Sequence, residues 1–211
     1  MLDHYITIAR DHQAEIDIKK SRFICALYHI ETEEEAKDLI QAAKKEHPKA
    51  NHHCSAFILG KQGEIRRSSD DGEPSGTAGA PILEVLTQNQ VVNVLAIVIR
   101  YFGGIKLGAG GLIRAYSTST SHALQDVGLV DVRQERQLFV TIDYAQVDKL
   151  THYLQTIDQP IQKIDYAETV QMTLCTSLED QFVLAITDFV NGQVQIKRGE
   201  IVEVCYPYTP N

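Results

Sequence analysis

The amino-acid sequence predicts an α+β protein with two domains, and three observations support this fold class. The chain has 211 residues, 44% of them hydrophobic and 23% charged, which is the composition of a globular protein. Segments with alternating apolar residues, typical of strands, are interspersed with segments of helical spacing. The last third of the chain contains a complete set of such elements. We therefore expect one domain over residues 1–134 and a second over residues 135–211.

The first domain is predicted to begin with extended chain over residues 16–30, broken near residues 19–21. Thr32 and Glu35 have the spacing of a capping box and begin a helix that ends before Pro48. Further elements follow in order: strands at 53–59 and 64–67, a loop at 68–80, a short helix from 81, a fully buried strand at 93–99, a glycine-dense turn at 102–111 and a long helix.

The second domain is predicted from an unbroken succession of patterns after residue 136. Alternating apolar residues indicate strands, and apolar residues at helical spacing indicate two helices, which end at Pro160 and at the Asn191-Gly192 pair. The elements are a strand at 137–144, a helix, strands at 161–166 and 170–174, a second helix and a strand at 194–204. The order β-α-β-β-α-β is that of the ferredoxin-like pattern.

The charge distribution limits the classes of partner. The net charge is −8, with 15 basic against 17 acidic residues in 1–134 and 5 against 11 in 135–211. A generic electrostatic grip on nucleic acid requires a basic surface, so only a local basic patch could serve. No apolar run approaches the roughly 20 residues that span a bilayer, and no secretory signal is visible. We expect a cytoplasmic protein with no membrane partner.

The four cysteines are expected to be buried, reduced thiols in strands. They are Cys25, Cys54, Cys175 and Cys205. Their wide spacing contains no C-x-x-C pair, so neither a disulfide framework nor a zinc cluster is indicated.

Two glycine-rich segments are the most distinctive features of the chain. Residues 70–81 read DDGEPSGTAGAP, and residues 100–116 read RYFGGIKLGAGGLIRAY. Both resemble signatures of the YigZ/IMPACT family, DGEPSGTAG-x-P and RYFGG-x-x-LG-x-GGL-x-RAY. Residues 51–54 resemble a Thr-His-Asn-Cys-like stretch of that family, from which His53 departs. The resemblance extends over about residues 15–130.

The resemblance implies a fold and a cellular process. It implies an N-terminal domain that is similar to the second domain of a small-subunit ribosomal protein. It also implies, for the bacterial YigZ branch, a C-terminal domain similar in fold to a domain of elongation factor G. A link to translation is implied as well, since IMPACT regulates a translational stress kinase by competing for its activator.

The chemistry of the second segment indicates an anion site, independently of the resemblance. The segment is a strand followed by a turn and a helix. The turn leads into the helix N-terminus, whose first N–H groups are unpaired and carry partial positive charge. Glycines let a ligand approach the backbone, and Lys106 and Arg114 add full charges. The residues expected to bind an anion or a partner are Arg100, Tyr101, Gly103, Gly104, Lys106, Gly108, Gly110, Gly111 and Arg114. The facing acidic loop contributes Asp70, Asp71, Glu73, Ser75 and Thr77.

Other interpretations of these residues stay open. The three carboxylates of the acidic loop could pair with Arg100, Lys106 or Arg114 and join the two loops, with the glycines serving only tight turns. Ser75 or Thr77 could act as a nucleophile beside His53, although no G-x-S-x-G elbow is present.

Metal binding and acid catalysis are further alternatives. His52, His53 and Cys54 could ligate a metal with Asp70 or Asp71, but adjacent residues on a strand point to opposite faces. The two aspartates could also be paired catalytic acids, although adjacency alone does not set their geometry. We expect no metal and no cofactor.

Three functions are compatible with these observations. The leading hypothesis is a non-enzymatic binding module that acts near translation and engages RNA, a nucleotide or a ribosome-associated protein through residues 68–116. An enzyme acting on a small phosphorylated or peptide-like substrate in the same cleft is the second. A protein–protein adaptor without a small ligand is the third.

Overall fold

The computed structural model describes residues 4–209, which divide into two compact units. One unit contains Tyr5–Val132 together with residues 206–209, and the other contains Arg133–Cys205 together with His4. That residues 1–134 and 135–211 are two separately folding domains stays a prediction. None of the helices in the described residues is long and apolar enough to cross a membrane.

The first unit mixes strands and helices in the predicted way. Its elements are β1 (His4–Ile8), β2 (His12–Ile18), β3 (Ser21–His29), α1 (Glu33–Glu46), β4 (His52–Leu59), β5 (Ile65–Ser69), α2 (Gly79–Gln88), β6 (Val94–Tyr101) and α3 (Ala109–Val127). The predicted capping box is confirmed: Thr32 accepts from the Glu35 backbone N–H, and the Glu35 carboxylate accepts from the Thr32 N–H. Strand β1 was missed by the sequence patterns, because five residues offer too little periodicity.

The central sheet of this unit has the order β2-β3-β6-β4-β5, with antiparallel neighbours. Strand β6 lies in the middle of the sheet, and its side chains point alternately into two apolar layers. Val94, Ala96 and Val98 belong to the layer that includes residues of α2 and α3, whereas Leu95, Ile97 and Ile99 belong to the layer that includes residues of α1. Burial on both faces explains why the sequence of β6 is continuously apolar.

Three strand ends meet at one end of this sheet. Arg22 of β3 is paired with Tyr101 of β6, and His52 of β4 is paired with Arg100. Because these strands are antiparallel, the end of β6 lies beside the starts of β3 and β4. The glycine-rich turn therefore leaves the sheet where the β2–β3 hairpin turn also lies.

The second unit follows the predicted β-α-β-β-α-β order. Its elements are β7 (Leu129–Ile142), α4 (Tyr144–Thr156), β8 (Ile161–Tyr166), β9 (Val170–Thr176), α5 (Glu179–Phe189) and β10 (Gln195–Tyr208). Strand β9 pairs with β7 and β8, and β10 pairs with β7. Strand β7 starts eight residues earlier than residue 137, because the chain stays extended through the expected boundary. Cys205 is exposed, contrary to expectation, whereas Cys25, Cys54 and Cys175 are buried; all four are free.

Candidate functional site

Asp70 anchors the acidic loop to the start of helix α2. Its carboxylate accepts hydrogen bonds from the backbone N–H groups of Gly76 at 2.8 Å, Ala78 at 3.0 Å and Gly79 at 2.8 Å. Burial raises the pKa of Asp70, but the three N–H groups outweigh it and hold the pKa below its usual value. Asp70 therefore caps α2, which has no side-chain cap of its own.

Asp71 is engaged on the side of the sheet that α1 covers. Its carboxylate lies 2.6 Å from Lys44 Nζ of α1 and accepts from the backbone N–H of His53, also at 2.6 Å. Burial raises the pKa of Asp71, while these two donors lower it to a net value below the usual range. The residue has a φ of +42°. Both carboxylate oxygens are thus used inside the protein.

Glu73 lies on the opposite side of the sheet in a buried polar network. Its Oε1 lies 2.5 Å from Arg100 Nη1 and accepts from the Tyr116 hydroxyl at 2.8 Å. The Cys54 Sγ lies 3.0 Å from the Asp70 carbonyl oxygen and 3.3 Å from the Tyr116 hydroxyl oxygen, and its single proton can be donated to either acceptor. Burial raises the pKa of Cys54 to about 12 and raises that of Tyr116. Both groups stay protonated, which suits a structural role.

The acidic loop therefore reaches the glycine-rich segment, although only one of its three carboxylates makes the contact. Glu73 joins the acidic loop to Arg100 and Tyr116, which flank the glycine-rich turn. Asp70 and Asp71 are paired elsewhere. The carboxylates consequently do not neutralise the cations of the turn itself.

The acidic loop offers no nucleophile with a base beside it among the described contacts. Ser75 is exposed, and the buried Thr77 donates its hydroxyl hydrogen bond to the carbonyl of Pro74 at 2.6 Å. His53 makes its contacts with Asp71 instead, and its Nε2 is buried without a hydrogen-bond partner in residues 4–209. Burial lowers the pKa of His53, so the imidazole is neutral near pH 7.

The glycine-rich segment consists of a turn and the first residues of a helix. Gly104 and Gly108 have φ values of +83° and +72°, which favour glycine, and α3 begins at Ala109. Gly110 and Gly111 therefore lie within the helix and not in the expected turn over 102–111. A side chain at Gly110 would meet only the end of Arg114, 3.9 Å away, so this glycine does not block or shape the turn.

An exposed basic and apolar surface surrounds the start of α3. Helix α3 has no side-chain cap and no acidic residue in its first turn. Lys106 and Arg114 are exposed, and neither forms an ion pair within residues 4–209. Phe102, Ile105 and Ile113 are 45%, 41% and 42% exposed. We call these five side chains the turn surface.

The sequence patterns missed the residues that other elements bring to the site. Lys44 reaches Asp71 from α1, 27 residues away. The Lys19-Lys20 pair, which was identified only as a break in extended chain, forms the β2–β3 hairpin turn that lies against Gly103. The signal that could have indicated the hairpin was the apolar alternation on both sides of the pair.

The histidines do not assemble a metal site in the described residues. His52 Nδ1 lies 2.9 Å from the Asp71 carbonyl oxygen, and its Nε2 lies 3.8 Å from Glu73. His53 faces Asp71 on the other side of the sheet. Within residues 4–209, no group of three or more His, Cys, Asp or Glu side chains is arranged to hold a metal ion.

Known proteins are similar to this chain over most of its length. Residues 19–124 match the family described as the Impact N-terminal domain. An IMPACT family member named YvyE from Bacillus subtilis is 43% identical over 205 residues, covering 95% of this chain and 94% of that protein. An IMPACT family member named YigZ from Escherichia coli is 35% identical, covering 85% and 90%. A crystal structure described as that of a hypothetical protein has 32% identity, a TM-score of 0.59 and coverage of 93% and 97%.

Proposed function

This chain belongs to the IMPACT family, and we propose that it is a non-enzymatic regulator of translation that binds an anionic partner through the turn surface. The resemblance of its two glycine-rich segments to the family signatures supports the link to translation. The partner is RNA, a nucleotide or the acidic surface of a ribosome-associated protein. The proposed place of action is the cytoplasm, where ribosomes work.

The observation that carries this proposal is that the acidic side chains near the turn are paired within the protein, whereas two basic side chains of the glycine-rich segment are not. All three carboxylates of the acidic loop are bound to groups within the protein. Lys106 and Arg114, by contrast, are exposed and lack ion pairs in the described residues. A protein with a net charge of −8 thus keeps two cations available in one short segment of its chain. Unpaired cations beside exposed apolar side chains are typical of a binding surface.

The chemistry of the surface suits phosphate or carboxylate. The start of α3 contributes roughly half a positive charge through its free N–H groups. Hydrogen bonds from charged donors to such anions contribute about 1.5–3 kcal/mol each. Two or three of them give a dissociation constant in roughly the micromolar to millimolar range, without a basic surface elsewhere.

Binding is better supported than catalysis. The Thr77 hydroxyl donates its hydrogen bond to the Pro74 carbonyl, and burial keeps the Cys54 thiol protonated by raising its pKa. Asp70 and Asp71 are ionised and saturated by donors, which suits neither a general acid nor a free base. These assignments favour a binding module over an enzyme acting on a phosphorylated substrate.

A binding experiment with a double variant tests the proposal. Calorimetry with inorganic phosphate, mononucleotides and short RNA, and co-sedimentation with ribosomes, are compared for the wild type and Lys106→Ala/Arg114→Ala. We expect the wild type to bind at least one of these and the double variant to bind at least about tenfold more weakly. Lys37→Ala/Lys45→Ala, which removes two exposed cations from α1, is the control with matched charge. Equal binding by both double variants would refute the proposed function.

A further inference from the structure

The β2–β3 hairpin turn packs directly against the glycine-rich turn. A Cβ atom added to Gly103 would fall on the carbonyl group of Lys20 and would lie 2.6 Å from the Ser21 nitrogen. The Gly103 N–H also donates to Ser21 Oγ at 3.2 Å. The two turns touch at Gly103, where there is no room for a side chain. Lys19 and Lys20 are held beside the turn surface by backbone contact.

These two lysines are unusual residues for a hairpin turn. Two-residue hairpin turns with positive φ at both positions favour Asn-Gly or Asp-Gly. Lys19 and Lys20 have φ values of +46° and +67°, a conformation that costs free energy for a residue with a side chain. Both are exposed, and neither has an ion pair in residues 4–209. Two cations thus occupy positions where other residues would make a more stable turn.

We propose that Lys19 and Lys20 together with the turn surface form one binding track for single-stranded RNA. The inference rests on the proposed function and extends it, because it names the partner and adds a second element to the site. Four cations from two separate segments of the chain contact several phosphates of one strand: Lys19 and Lys20 from the hairpin turn, and Lys106 and Arg114 from the glycine-rich segment. A single phosphate or a mononucleotide reaches only Lys106 and Arg114 of the glycine-rich segment.

The exposed aromatic ring favours a nucleic-acid strand over an acidic peptide. Phe102 directly precedes Gly103, and its ring is 45% exposed, while the Arg100 guanidinium lies 5.5 Å from the ring centroid on β6. Single-stranded nucleic acids bind where cations follow the backbone and aromatic rings stack on bases. Phe102 supplies such a ring next to Gly103, where the two turns touch.

The decisive variant is Lys19→Asn/Lys20→Gly. It removes both charges and relieves the strained turn, so the melting temperature should rise by roughly 2–4 °C. Its affinity for a single-stranded RNA of about 12 nucleotides should fall about tenfold at roughly 50 mM salt. The slope of log K against log salt concentration should become shallower by about 1.4, since two phosphate contacts are lost. Binding of a mononucleotide should be unchanged.

Matched variants separate charge from turn structure. Lys19→Arg/Lys20→Arg keeps both charges and should bind RNA within about threefold of the wild type. Lys37→Ala/Lys45→Ala should leave the salt dependence unchanged. Phe102→Leu should weaken RNA binding by about fivefold or more without changing the slope, because stacking is not ionic.

The outcomes distinguish failure of this inference from failure of the proposed function. One outcome is that Lys106→Ala/Arg114→Ala abolishes binding while Lys19→Asn/Lys20→Gly leaves RNA binding unweakened. That result would refute the binding track and leave the proposed function standing. Tighter binding of a polyglutamate peptide than of RNA would also overturn the track, in favour of an acidic protein partner. A wild type that binds no RNA overturns it as well, and the phosphate and ribosome measurements then decide the proposed function alone.

Discussion

Glu73 and Arg100 form a buried ion pair, with 2.5 Å between Glu73 Oε1 and Arg100 Nη1 and 4% and 6% of their side chains exposed. The pair connects the acidic loop to the C-terminal end of strand β6, next to the glycine-rich turn. The Tyr116 hydroxyl from α3 shares the same carboxylate oxygen. One carboxylate thus ties together the loop, the sheet and the helix that support the turn surface.

Replacing this carboxylate should destabilise the protein strongly. Glu73→Gln leaves the Arg100 guanidinium buried without its counter-charge, and we expect a loss of about 3–5 kcal/mol in the free energy of unfolding. Urea unfolding followed by circular dichroism measures this loss. Glu33→Gln is the control, because Glu33 and Arg67 form an exposed pair at 3.4 Å that should contribute at most about 1 kcal/mol. Similar losses in both variants would contradict the assigned role of Glu73.

Asp70→Asn should lower stability in a pH-dependent way. The loss of the charged cap on α2 should cost about 1–2 kcal/mol at pH 7. The pKa of Asp70 is lowered in the folded state, so its contribution is complete above the unfolded value near 3.8 and disappears as the pH falls through the folded value. The difference between wild type and variant should therefore shrink below about pH 4. Asp17→Asn, at an exposed position of β2, should show little difference at any pH.

His53 should make the protein less stable in mild acid. Burial lowers the pKa of His53 below 6.5, so the unfolded chain binds a proton more readily than the folded protein. The stability linked to His53 is complete above about pH 6.5 and is lost as the pH falls toward the folded value. His53→Asn should reduce the difference between unfolding free energies at about pH 7.5 and 5.5. The same substitution at the exposed His152 should not reduce this difference. An unchanged pH dependence in His53→Asn would disprove the effect.

Two glycines of the same motif should respond in opposite directions to alanine. Gly103→Ala forces the Lys20 carbonyl to move and should cost about 1–3 kcal/mol. Gly110 lies in the first turn of α3 with open space around it, so Gly110→Ala should be neutral or stabilise the protein by up to about 1 kcal/mol. Thermal unfolding of the two variants makes the comparison directly. A destabilised Gly110→Ala would show that the helix start is more constrained than its surroundings indicate.

The second unit is expected to fold by itself. A fragment of residues 133–208, which adds the end of strand β10 to this unit, contains the apolar cluster of Leu138, Leu150, Met172 and Ile186, all fully buried. A chain of about 75 residues has a small core, so we expect a cooperative but modest unfolding transition. Urea titration of the fragment, followed by circular dichroism, tests this. A transition without cooperativity would mean that residues 135–211 are not an independent domain.

The sequence by itself determined the elements that depend on local patterns. The capping box at Thr32 and Glu35, the break after Ile18 and the buried strand β6 are all confirmed, because each depends on residues close together in the chain. The motif spacing also identified the family, since a long run of specific residues rarely matches by chance. The location of the turn was predicted within a few residues, although the helix start was placed too late.

Only the tertiary structure decided which charges are paired and which are available. Asp71 meets Lys44 across 27 residues of chain, and Gly103 meets the β2–β3 turn across 82. Such contacts depend on strand order and register, which set the neighbours of every residue at the sheet end. Local periodicity carries no information on that order, so the sequence named the acidic loop and the glycine-rich turn but not the Lys19-Lys20 pair beside them.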